Sequence, residues 1–230
     1  MFTYLLMFYL ATGSYAQQKK TFFSDAISLH IKSYKESCNR AVWNGDFDKL
    51  DILFDSLVNN HLKGTRLNEL KIKMLEGGSM DFTDNELPIL LTTTSGWFFK
   101  NKEEIEALNT LAEEFANSMK VIVLFWDTRK NIKDLAKQYN EFITIVYVDE
   151  TSNADNDIIN TYKHALGIPA TFYVASDQTI VDINRGGLIK YYVKEEKEFF
   201  ATNYSLYQKH IMKLLLKDEL LRNTILSNTD

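Results

Sequence analysis

Val121-Ile122-Val123-Leu124-Phe125-Trp126 is six apolar residues in succession, half of them β-branched. A run with no polar position cannot be a strand with one wet face. It reads as a strand covered on both sides, as strands of a parallel sheet usually are. Pro88 to Thr93 reads as a second buried strand. Between the two, Ile105, Leu108, Leu111, Ala112 and Phe115 recur at helical spacing over Glu103 to Asn117. Further on, the pattern predicts a helix over Thr128–Tyr139, a strand over Phe142–Val148 and a helix over Asp155–Leu166 stopped by Gly167. Strands at Ala170–Ala175 and Thr179–Ile183 come next, joined by a tight Asp177-Gln178 turn. Alternating strands and helices of this kind demand right-handed crossovers and an α/β fold, with a central mixed, mainly parallel sheet flanked by helices.

Upstream of these strands the period is different. Ile27, Ile31, Tyr34, Cys38 and Val42 share one helical face, and Asn44-Gly45-Asp46 breaks the run. A second helix carries Phe47, Leu50, Leu53, Phe54, Leu57 and Val58, and Lys63-Gly64 ends it. Residues 22–64 are therefore expected to form a helical hairpin, which cannot bury its own apolar face and must dock on the downstream part of the chain. The period does not recur, so no repeat array is implied. Leu70, Ile72 and Met74, a Glu76-Gly77-Gly78 turn, then Met80 and Phe82 read as a β-hairpin. At the other end, Tyr204, Tyr207, Ile211, Leu214 and Leu215 are spaced to pack in a C-terminal helical extension, residues 188–230.

Phe2 to Leu10 is apolar, and Ser14-Tyr15-Ala16 offers a small-x-small cleavage site before Gln17. Residues 1–16 are thus expected to be a signal peptide, and the protein exported, to the periplasm. The stretch is too short to span a bilayer, which needs about 20 apolar residues, so no stable membrane insertion is expected once the signal is removed. A net charge of −5 and a pI near 5.5 leave no basic stripe and argue against nucleic acid as a partner. Cys38 is the single cysteine, so no internal disulfide is available even in an oxidising compartment. Its place on the apolar helical face suits a packed, inert thiol.

The segment after the Pro88–Thr93 strand carries the chemistry, or the lack of it. Thr94-Ser95-Gly96-Trp97-Phe98-Phe99-Lys100-Asn101 leads directly into the helix. Gly77-Gly78-Ser79-Met80, Pro88-Ile89-Leu90-Leu91, Ser95-Gly96-Trp97 with Ile105-Glu106-Ala107-Leu108, and Gly167-Ile168-Pro169-Ala170-Thr171-Phe172 occur in that order. In this order residues 67–187 resemble the exported, TlpA- and ResA-type branch of the thioredoxin superfamily. The resemblance implies a thioredoxin-like fold preceded by the helical hairpin, an active-site loop at Trp97 and a cis-proline segment at Ile168-Pro169. Where the family has Trp-Cys-x-x-Cys, this sequence has Phe98 and Asn101, so the motif is lost. Thr92 falls where many thioredoxins place a buried acid.

Thiol-disulfide exchange needs a thiolate of lowered pKa and a resolving thiol. Phe98 cannot ionise and Asn101 cannot attack, so no catalytic residue is expected here. What remains is a binding frame for a peptide or envelope partner, using Trp97, Phe98, Phe99, Asn101, Ile168 and Pro169, because an extended chain can pair with the backbone before the proline. The alternative is a thiol-disulfide oxidoreductase or isomerase acting in redox homeostasis, with thiols from Cys38 or a partner. No cofactor and no metal is expected: His30, His61, His164 and His210 show no ligand spacing. The acidic stretch Asp149 to Asp157 lacks the Gly and the closing Glu of a calcium loop.

Overall fold

A computed structural model describes residues 21–98, 102–151, 158–185 and 196–227. The expected signal peptide and the beginnings of the 155–166 helix and of the C-terminal extension lie outside the described residues. Phe23–Trp43 (α1) and Asp48–Leu57 (α2) form the two long helices of the N-terminal part, α2 continuing as a π-helical turn over Val58–Leu62. Gly64 comes next at φ +83°, a left-handed turn that glycine alone enters without steric penalty, and it sends the chain toward the sheet.

The strands are Lys71–Met74 (β1), Ser79–Asp81 (β2), Ile89–Thr94 (β3), Lys120–Trp126 (β4), Ile143–Val148 (β5), Ala170–Val174 (β6) and Ile180–Arg185 (β7). They form one sheet in the order β2-β1-β5-β4-β3-β6-β7. Parallel pairing is confined to β3-β4-β5, while β1-β2, β1-β5, β3-β6 and β6-β7 run antiparallel. The sheet is thus mixed, but not mainly parallel as the sequence pattern predicts: only the two pairings joined by crossovers are parallel, and the hairpin strands added at either edge run antiparallel. Lys102–Glu114 (α3) connects β3 to β4. Further along, Arg129–Ile132 (α4) is a single short turn after β4, and Glu196–Ser227 (α5) is the long C-terminal helix, packed against α3.

Alternation along the central strands builds two cores. Ile89 and Leu91 of β3, with Ile122, Leu124 and Trp126 of β4, face a layer made by α1, α2 and the π-helical segment Ile159–His164. Leu90, Val121, Val123 and Phe125 point the opposite way, onto Leu108 and Leu111 of α3 and Tyr207, Ile211 and Leu214 of α5. Every residue of β3 is buried. Each fully buried Leu or Ile contributes about 1.5–3 kcal/mol, so both layers are needed to cover these strands.

One element departs from its sequence pattern. The expected helix over Thr128–Tyr139 is broken into α4, capped by the Thr128 side chain, and a 3-10 turn over Leu135–Gln138. The tighter turn carries the Tyr139 ring edge-on against Phe125, centroids 6.2 Å apart, which a continuous helix need not achieve.

The edge strand β7 is tied to both layers by a buried carboxylate. Asp182 accepts from Lys63 Nζ at 2.9 Å, beyond the π-turn of α2, and contacts His210 Nδ1 on α5 at 3.1 Å. Burial pushes its carboxyl up, yet the hydrogen bonds from His210 and Lys63 and their charges outweigh that and hold it at about 2. The folded value lies below the unfolded one, so the stabilisation is present above about pH 4 and is lost as pH falls toward 2. Asp182→Asn should lower stability by about 2 kcal/mol at neutral pH. It should also flatten the acid limb of the stability profile between about pH 4 and pH 2; urea unfolding at several pH values reads both effects.

Candidate functional site

β3 ends in three buried threonines and is followed by Ser95, and the hydroxyls of Thr93 and Ser95 anchor the start of the loop. Ala170 N donates to Thr93 Oγ1 at 3.1 Å, and that hydroxyl donates back to Ala170 O at 3.2 Å. Thr93 and Ala170 are register partners, which brings Pro169 to the same end of the sheet as Thr94. The Ile168–Pro169 peptide bond is cis. Ser95 Oγ donates to Trp126 O at 3.1 Å, pinning the start of the loop to the end of β4. Phe98 N then closes a turn onto Ser95 O at 3.0 Å.

Gly96 sits where no side chain fits. A Cβ there would lie 2.3 Å from Asp127 Oδ2. Asp127 cannot readily withdraw, because its other oxygen accepts from Thr128 N at 2.7 Å and from Asn131 Nδ2 at 2.8 Å. The chain beyond Gly96 therefore turns Trp97 outward, 71% exposed, with Phe98 half-buried and edge-on to it at 6.4 Å. Phe99 and Asn101 lie outside the described residues.

Trp97 and Phe98 line a cavity of about 180 Å³ together with Thr94, Ile105, Phe125 and Tyr139. That is near the size at which an apolar cavity accepts one aromatic ring. On its other side Trp97 borders a groove with Asp127, Asp149 and Glu150. Thr94 Oγ1 and Trp126 Nε1 are buried at this end of the sheet without a hydrogen-bond partner. Such atoms are uncommon in a folded protein.

Pro169 is buried and Ile168 half-buried. Ile168 packs with the α1 layer and lines a different depression, with Tyr34, Cys38 and Arg185. The sequence-derived residues are thus split by the sheet, Trp97 and Phe98 toward α3 and Ile168 toward α1. Cys38 is half-buried and on the same side as Ile168. Its neighbour Tyr34 is pushed up to about 12, first by burial and then by its hydrogen bond to the Cys38 thiol, with Arg185 opposing. Arg185 Nη1 donates to Tyr34 Oη at 2.5 Å.

One buried acid escapes the sequence pattern. Glu104, in the first turn of α3, is buried, and Tyr207 of α5 donates to its Oε1 at 3.0 Å. Burial, and then the facing carboxylate, raise the Tyr207 phenol well above its ordinary value. Thr171 Oγ1 donates to Thr92 Oγ1 at 3.2 Å on the adjacent strands. The buried Glu104 thus joins the first turn of α3 to α5. Its signal is phase: Glu104 precedes Leu108 by four residues and Leu111 by seven, placing it on the apolar stripe.

Among the described residues no group of three or more His, Cys, Asp or Glu could hold a metal ion, and no helix is long and apolar enough to cross a membrane.

No protein-family model matches the chain, and no curated protein matches it. Solved structures do. A Chlorobium tepidum protein described as the thiol:disulfide interchange protein DsbE is 14% identical, with a TM-score of 0.50 over 66% of this chain and 97% of that one. The thioredoxin domain of a thiol-disulfide oxidoreductase from Bacteroides vulgatus is 16% identical, with a TM-score of 0.49 over 64% of this chain and 96% of its own. At such identities the likeness is one of fold. The fold of this chain is thioredoxin-like.

The contact at Gly96 can be tested directly. Gly96→Ala forces Asp127 or the loop to shift, an overpacking that should cost about 1–3 kcal/mol. Urea unfolding measures the loss, and the exposed indole of Trp97 should shift its emission in the same variant.

Proposed function

We propose that this chain is an exported, thioredoxin-fold protein without thiol redox chemistry of its own, which holds an extended polypeptide at the Trp97 end of the sheet. The observation that carries the reading is the pairing of a lone, distant thiol with an exposed aromatic at the loop. Cys38 is on α1, in a depression on the other face of the sheet, while Trp97 is exposed beside a ring-sized cavity. Phe98 occupies the first position where the TlpA- and ResA-type pattern has a cysteine, and Asn101 the second. Residues 67–187 are taken as the thioredoxin-like domain, 22–64 as the docked hairpin, 188–230 as the extension and 1–16 as the signal that directs the protein to the periplasm.

An extended chain gains from this surface in two ways. Its backbone can pair at Ile168 and Pro169, the segment that leads into β6. One apolar side chain can enter the cavity beside Trp97 and Phe98. Aromatic anchors of this kind supply most of the energy in small interfaces. The buried, unpartnered hydroxyl of Thr94, which lines that cavity, supports a surface that is completed by an occupant.

A second reading, thiol exchange through Cys38, has one observation in its favour: Cys38 and Ile168 border the same depression. Two assays separate the readings. The wild type should not accelerate reduction of insulin by dithiothreitol, and Cys38→Ser should behave identically. The wild type should bind a reduced, alkylated unfolded polypeptide, with Trp97→Ala weakening binding at least about tenfold. Insulin reduction at the rate of an ordinary thioredoxin, or polypeptide binding unchanged by Trp97→Ala, overturns the proposal.

A further inference from the structure

The cavity beside Trp97 has largely apolar walls and one buried polar point. Alternation along β3 sends Thr94 to the same face as Leu90, where Phe125 and Tyr139 also lie. Thr94 and Phe125 are register partners on neighbouring strands, and both line the cavity. Thr94 is 1% exposed, and its Oγ1 has no hydrogen-bond partner. The hydroxyls on either side of it are all engaged: Thr92 with Thr171, Thr93 with Ala170 and Ser95 with Trp126. We infer that the cavity is built for a phenol ring, so that the side chain inserted by the bound polypeptide is a tyrosine. The inference rests on the polypeptide-binding reading for its occupant, and on the cavity alone for the chemistry it selects.

Size and lining point to a ring. The cavity volume of about 180 Å³ is close to the roughly 150 Å³ at which an apolar cavity takes up benzene. The aromatic side chains that border it already meet edge-on, Trp97 with Phe98 at 6.4 Å and Phe125 with Tyr139 at 6.2 Å. They offer a further ring the offset and edge-to-face contacts that aromatic pairs prefer. Among the described residues that line the cavity none is charged. An ammonium, guanidinium or carboxylate brought there would lose its hydration and gain no ionic partner. The acids Asp127, Asp149 and Glu150 border the groove on the other side of Trp97 instead.

The polar point then separates tyrosine from phenylalanine and leucine. A hydrocarbon side chain covers Thr94 and leaves its hydroxyl unpaired. A phenol O–H donates and accepts, as the threonine hydroxyl does, so the two can pair in either direction. Sites that hydrogen-bond a hydroxyl reject the analogue that lacks it, because their own polar group is then stranded. Position agrees with this assignment. Thr94 is buried at the end of β3 while Trp97 is 71% exposed, so a ring entering past Trp97 arrives with its far end toward Thr94. Tyrosine carries its hydroxyl at that far end.

The test uses the full chain and two compounds that copy the side chains, p-cresol for tyrosine and toluene for phenylalanine. Ligand-observed NMR titration should show p-cresol binding at least about tenfold tighter than toluene, a comparison that needs no variant to fold. Thr94→Val keeps the β-branched shape and removes the hydroxyl. It should abolish the margin by weakening p-cresol while leaving toluene unchanged. A short extended peptide with one central tyrosine should likewise bind at least about tenfold tighter than its phenylalanine counterpart. Absence of p-cresol binding, equal affinity for the two compounds, a margin that survives in Thr94→Val, or equal binding of the two peptides overturns the inference. Failure of both peptides to bind, with the p-cresol margin intact, overturns the polypeptide reading instead, and the preference of the cavity for a phenol stands.

Discussion

Burial of β3 and β4 on both faces is the constraint on which the remaining architecture depends. Their side chains alternate, Leu90 and Val123 toward α3 and α5, Ile89, Leu91 and Ile122 toward α1 and α2. No short loop can cover such strands, because a loop brings backbone groups that need water or partners. Two helical layers are required. The helical hairpin supplies one and the C-terminal helix, with α3, supplies the other. This explains why an otherwise minimal sheet carries about forty residues of helix at one end and a 32-residue helix at the other.

Layers on opposite faces need a common anchor, and the edge of the sheet provides it. β7 is the last strand, so Asp182 can reach past the edge to Lys63 on one side and His210 on the other. The segment after Gly64 occupies the outer side of the same strand: Ile180 N donates to Thr65 O at 2.8 Å and Leu67 N to Gln178 O at 2.9 Å. The arrangement satisfies backbone groups that would otherwise invite another strand. One carboxylate and a few main-chain bonds thus hold both covers to the same strand.

Much of this is legible from periodicity. Runs such as Val121–Trp126 have no competing reading, and the helical stripes of α1, α2, α3 and α5 are long enough to resolve. The break within 128–139 is not legible, because Ile132, Leu135, Ala136 and Tyr139 satisfy helical spacing, and the choice of a 3-10 turn depends on where Phe125 waits to be packed. Glu104 hides in the sequence because its acidic type masks its phase on the apolar stripe. The direction of Ile168 and the meeting of His30 with His61 have no local signal at all. The first is set by how the hairpin docks on the sheet, a decision made by some thirty buried side chains together, and the second by how α1 packs against α2 and the turn that ends it.

The frame at the loop and the chemistry at the loop are separable. The contacts that shape it are Thr93 with Ala170, Ser95 with Trp126 and Gly96 against Asp127. None involves the side chain at position 98. A frame held by backbone and short hydroxyls tolerates a thiol, a phenyl ring or an amide at the positions it presents, since the turn is fixed from beneath them. Strand ends and helix starts of this kind keep their geometry when their reactive groups change. The buried Glu104–Tyr207 pair supports the same point from below, since it joins α3 to α5 by a hydrogen bond that does not depend on what the loop carries. Likeness to thiol-disulfide proteins is therefore a likeness of frame, and the side chains presented on that frame decide its chemistry separately.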